Sequence, residues 1–78
     1  MTERNIEYRM IFASSCVESA ARALGISAQQ MYERMKRVNL IEGYILKCYD
    51  VLHAESRDHV TKDVLATLAK WESKEGLS

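Results

Sequence analysis

Proline is absent from this sequence, and glycine occurs only three times, at Gly25, Gly43 and Gly76. Without proline there are no fixed kinks, and with so little glycine there is no flexible linker, so nothing divides the chain. Charge of one sign is also missing: 11 basic and 11 acidic residues leave a formal net charge of zero. A sequence-independent nucleic-acid binder needs surplus Lys and Arg to neutralise phosphates, and that class is not expected here. No stretch approaches the ~20 apolar residues of a membrane span. The start, Met1-Thr2-Glu3-Arg4, is charged and lacks the apolar segment of a secretory leader. There are two cysteines, Cys16 and Cys48, and both fall on apolar faces of the expected helices. Free thiols in a cytoplasmic protein are the expected state.

What is present is 47% hydrophobic residues, enough for one globular domain spanning 1–78, with an ordered core over about 5–73. Ile6, Met10, Ala13, Val17, Ala20, Ala21 and Leu24 recur at helical spacing and predict a first helix from Asn5 to Leu24. A second row of Tyr8, Phe12, Cys16 and Ala23 widens its apolar arc to about half the circumference, beyond the ~100° of an ordinary surface helix. This helix is therefore either central or exposes a flank to another chain. Gly25 suits a left-handed stop, and Ser27 to Gln30 reads as a capping box opening a second helix that runs to Val38. Its expected inward residues are Ala28, Met31, Met35 and Val38, with Tyr32 at the edge. Asn39 is a second left-handed stop. A third helix from Leu40 carries Ile41, Tyr44, Ile45 and Cys48 on one face, with Gly43 kept small for a close helix contact. Ser56 caps a fourth helix, lined by Val60, Val64, Leu68 and Trp71 and ended by Gly76. Nothing alternates at period two, so the expectation is an all-α, compact four-helix domain.

The connection before the last helix, Cys48-Tyr49-Asp50-Val51-Leu52-His53, is unusually apolar. Connections are mostly polar, so this one is expected to be buried, with His53 bonded inside the protein. Asp50 and His53, three apart, suggest an acid–base pair. However, no nucleophile, phosphate loop or second carboxylate accompanies them, so a structural role is expected and no enzymatic activity. Cys48, His53 and His59 invite a metal, but neither their spacing nor their number fits a closed zinc site. No metal or cofactor is expected.

Ala20 to Ser27 followed by Met31 matches the small residues, glycine turn and apolar position of a helix-turn-helix. On that reading Gln29, Gln30 and Arg34 would face base edges. Arg34 occupies a position that is usually apolar, and Arg34, Lys36 and Arg37 point in different directions. DNA binding is thus the alternative reading, and nucleic acid is not the expected partner.

Phe12 to Glu18, Gly25-Ile26-Ser27, Leu40-Ile41, and Tyr49-Asp50-Val51-Leu52-His53 ahead of Val60 to Leu68 together resemble an uncharacterised family of short bacterial helical proteins. The resemblance extends from Ile11 to Ala69, and Tyr49 to His53 is its most specific part. Genes of the family that this chain resembles often lie beside genes for predicted ADP-ribosyltransferase-like toxins. The resemblance therefore implies a non-enzymatic protein-binding module, antitoxin-like or regulatory, acting on a neighbouring gene product. A protein partner or a homodimer is expected, with no membrane. The expected contact surface is the Tyr8, Phe12, Cys16 flank of the first helix, because exposed apolar patches mark association sites.

Overall fold

The structure is a computed structural model that describes the backbone of residues 2–77 and the side chains of residues 7–74. It is all-helical: α1 (Thr2–Leu24), α2 (Ala28–Arg37), a π-helical segment (Ile41–Ile45), α3 (Tyr49–Leu52) and α4 (Arg57–Leu77). α1 is the central element and packs against both α2 and α4. Its 23 residues at 1.5 Å each span most of the 41 Å long axis. The row along its inner face is small (Ala13, Cys16, Val17, Ala20, Ala21), and all five are buried. Small side chains let the neighbouring backbones come close, and the volume is filled from the other side by Met31, Met35, Leu40, Ile45, Leu52, Val60, Val64 and Leu68. Met, with three rotatable bonds, suits the irregular gaps over an alanine-rich surface.

The local punctuation follows from the residues expected to supply it. Gly25 sits at φ +69° and Asn39 at φ +58°, both left-handed stops. The amide of Ile26 donates to the Ala21 carbonyl at 3.0 Å as the chain leaves α1. Ser27 and Gln30 form the reciprocal capping box: the Gln30 amide donates to Ser27 Oγ, and the Ser27 amide donates to Gln30 Oε1, each at 3.1 Å. Ser56 Oγ accepts the His59 amide at the start of α4. α4 continues through Gly76 to Leu77, so that glycine does not end it.

The third helix and the connection before α4 also differ from expectation. Leu40 to Cys48 is not a uniform α-helix: after Asn39 the chain forms a π-turn in which the Leu46 amide reaches the Ile41 carbonyl, five residues back, at 2.8 Å. Beside it, Gly43 lies against Trp71, whose ring atoms stand 3.4 Å from where a Cβ would be. Trp71 also meets Tyr44 edge-on at 6.3 Å, which anchors the far part of α4. The connection before α4 is likewise not buried as a whole. Its residues Tyr49–Leu52 make one helical turn, and consecutive helical side chains point about 100° apart. Only Leu52 enters the core, at 3% exposure, whereas Val51 is 64% exposed and Asp50 and His53 are exposed.

Arg34 ties α2 to α4 through a two-pronged pair with Glu72, Nε to Oε2 at 2.9 Å and Nη2 to Oε1 at 2.6 Å. Hydrogen bonding to Arg34, reinforced by the charges of Arg34 and Arg37 and opposed by partial desolvation, holds the Glu72 carboxyl below its ordinary range. A depressed carboxylate stabilises the fold above the unfolded-state value and loses that contribution as pH falls through the folded one. Glu72→Gln should therefore cost about 1 kcal/mol at neutral pH, a modest figure for a partly solvated pair. The gap from wild type should close in acid. Urea melts of the two proteins at pH 7 and pH 3 check this.

Candidate functional site

The site begins with the two non-standard backbone features that follow α2. Asn39, in its left-handed conformation, closes the run of α2, and the π-turn over Ile41–Ile45 follows it. Ile41 and Leu46 are joined by the π-type hydrogen bond, and both line a groove closed on its other side by α1 and α2. The groove has a volume of about 270 Å³; Met10 and Val17 come from α1 and Tyr32 from α2. Lys36 and Glu42 place one charge of each sign on its rim. Met10 is 53% exposed and Tyr32 43%, although both are large and apolar in body. π-turns are uncommon and concentrate at working surfaces, because the extra residue re-aims side chains that a regular helix would stack. Arg9 braces the turn, its Nη1 donating to the Leu46 carbonyl at 3.3 Å.

Around the end of this segment lies an aromatic shelf centred on Tyr49. Phe12 meets its ring edge-on at 5.4 Å, the Arg9 guanidinium sits 5.1 Å from its centroid, and the His53 imidazole stacks on it at 4.5 Å and 13°. Tyr49 therefore joins α3 to the outer part of α1. His53 is exposed and covers an aromatic ring, and its amide donates to the Tyr49 carbonyl at 2.9 Å. The expectation of a buried imidazole is thus corrected: the helical turn carries His53 outward.

The expected contact row Tyr8, Phe12, Cys16 does not form one exposed patch. Tyr8 is 55% exposed, but Phe12 is half-buried against Tyr49 and Cys16 is 3% exposed within the core. The start of α4 covers this flank, with Arg57 Nη1 donating to the hydroxyls of Ser15 and Ser19 on either side of Cys16. Among the described residues of α1, the large apolar side chains left exposed are Tyr8, Met10, Ile11 and Leu24. Sequence periodicity missed the groove because Met10 shares the angular range of the core row, yet it lines the groove at 53% exposure.

Burial pushes the Cys16 thiol up to about 11, with the Arg57 charge opposing part of that shift. The native thiol then stays protonated while the unfolded one ionises near 9. Stability present below that value is lost as pH rises from about 9 to 11, by up to roughly 2–3 kcal/mol. Cys16→Ala should flatten this alkaline decline relative to wild type in denaturant melts taken between pH 8 and 11.

Of the residues assigned to base reading, Gln29 and Gln30 are exposed, but the Gln30 side chain is committed to the capping box and Arg34 to Glu72. Gln29 donates to Glu33, an acceptor that duplex phosphates would repel. Among the described residues, Cys48, His53 and His59 do not come together. His59 is instead bracketed on the surface by Glu55, at 3.1 Å, and Asp63, at 3.7 Å. Two carboxylates beside one imidazole make an ordinary polar surface cluster around the start of α4.

No described helix is long and apolar enough to cross a membrane. Nothing among curated proteins or solved structures matches this chain. A family model described as a protein of unknown function, DUF3791, matches residues 11–71, and the chain belongs to that family.

Proposed function

We propose that this protein is a non-enzymatic protein-binding module whose α1–α2–π groove accepts apolar side chains of a partner protein. The carrying observation is the groove itself, in which half-exposed Met10 and Tyr32 flank a cleft floored by the π-turn. At about 270 Å³ it lies just under the ~300–1,000 Å³ typical of small-molecule sites. That volume accommodates one or two large side chains, as when an amphipathic helix lays its anchors into a cleft. Methionine and tyrosine are suited to such a surface, one by adapting its shape and the other by offering area with few torsions to order. A non-enzymatic reading is supported because Asp50 and His53, the candidate acid–base pair, stand on open surface outside the groove.

The partner class follows from the sequence resemblance: the product of an adjacent gene, with this chain acting as its antitoxin-like or regulatory companion in the cytoplasm. Co-expression with each neighbouring gene product, followed by size-exclusion chromatography, tests it. A stable stoichiometric complex with one neighbour is expected. Separate elution of every neighbour at micromolar concentration would overturn the reading.

A further inference from the structure

On the flank of the molecule away from the apolar groove, α1 and α4 enclose a second, open groove of about 410 Å³. Three cations line it: Arg22 from α1, and Arg57 and Lys62 from α4. Ser19 and Thr61 add hydroxyls, and Asp58 is the single acid. The local balance is thus three positive charges against one negative, in a chain whose overall charge is zero. Among the described residues, none of the three cations has a carboxylate within salt-bridge distance; the ion pairs present are Arg34–Glu72 and the His59 cluster. All three are exposed, so solvent screens their mutual repulsion, and an anion entering the groove meets several cationic donors at once.

Arg57 is held in place for such a role. Its Nη1 donates to Ser15 Oγ, to the Ser15 carbonyl at 3.5 Å and to Ser19 Oγ at 3.2 Å. That fastens one nitrogen to α1, while Nε and Nη2 have no described partner. A guanidinium with two parallel donors available matches the two oxygens of a phosphate edge, and its fixed position reduces the entropy lost on binding. Ala23 and Leu65 supply an apolar wall beside the cations. We infer that this groove is a binding site for a small phosphate monoester, its phosphate held by Arg22, Arg57 and Lys62 and its organic group against Leu65.

The test is a two-dimensional amide NMR titration with inorganic phosphate and with phenyl phosphate, at constant ionic strength and against a chloride control. Saturable shifts are expected at Ser19, Arg22, Ala23, Thr61, Lys62 and Leu65 and not at the α1–α2 groove. Phenyl phosphate should bind several-fold more tightly than phosphate alone. Lys62→Gln and Arg22→Gln touch no described structural contact, so each should weaken binding about 3- to 10-fold with the rest of the spectrum unchanged. Arg57→Gln should weaken it more. Shifts that fail to saturate, that scatter over the surface, or that persist unchanged in the Arg22 and Lys62 variants would overturn the assignment.

Discussion

Leu52→Ala should destabilise the protein by about 2–5 kcal/mol, whereas Val51→Ala and His53→Ala should each change stability by less than about 1 kcal/mol. The contrast rests on one helical turn. Leu52 is 3% exposed and belongs to the core cluster, and removing its methyls leaves a cavity under α3 that the surrounding helices cannot fully close. Val51 is 64% exposed and has almost no burial to lose. His53 loses only its stack on Tyr49, at 4.5 Å, and its side chain leaves no buried polar group unpaired. A domain of this size has about 4–12 kcal/mol of total stability, so the Leu52 variant should melt tens of degrees lower or fail to accumulate. Equal losses at Leu52 and His53 would mean that the whole connection is packed inside, contrary to the structure.

The second large effect concerns association. Met10→Asp combined with Tyr32→Asp should weaken binding of the partner at least 100-fold while leaving the circular dichroism spectrum intact. Both side chains are about half exposed, so charging them costs the isolated fold little. In a complex the same carboxylates would sit desolvated in an apolar cleft beside Ile41 and Leu46, and a buried unpaired charge is strongly unfavourable. Anchors of this kind carry about 2 kcal/mol or more each at interface centres. Isothermal calorimetry with the purified partner gives the ratio. Binding unchanged within a factor of about three would place the interface elsewhere, with Tyr8 and Ile11 the next exposed apolar pair on α1.

The fold was legible wherever one residue type meets one backbone need. Gly25 and Asn39 at left-handed positions, the Ser27–Gln30 box and the Ser56 cap could each be read from a few letters, because steric and hydrogen-bond rules act locally there. The core faces of α2 and α4 were legible at their centres, since Met31 with Met35, and Val60 with Val64 and Leu68, repeat at helical spacing, whereas Ala28, expected inward, is exposed and Val38 is only half-buried. The π-turn was not. Whether the Leu46 amide bonds four or five residues back depends on how Leu40 and Ile45 pack, and no single residue announces it. The burial of Tyr49 to His53 was misread for a related reason: apolar composition does not say which side chains face inward, and in the helical turn Val51 points about 100° away from Leu52, so only Leu52 enters the core.

The candidate site was legible only in its residue types. An over-wide apolar arc on α1 signalled a surplus, and the structure does leave apolar surface exposed there. Which flank stays open was decided by tertiary contacts, because Arg57 carries the start of α4 over Cys16 and closes that side. The opposite side, between Met10 and Tyr32, remained uncovered. No sequence pattern encodes that choice, since it depends on pairings such as Arg57 with Ser15, 42 residues apart.

Chemical-shift mapping of the isotope-labelled protein on addition of its partner locates the contact surface. The largest perturbations are expected at Met10, Ser14, Tyr32, Lys36, Ile41 and Leu46, with Tyr49 to His53 and the Arg22–Arg57 groove little affected. A footprint centred on Tyr49 to His53 that leaves Met10 and Tyr32 unmoved would contradict that location.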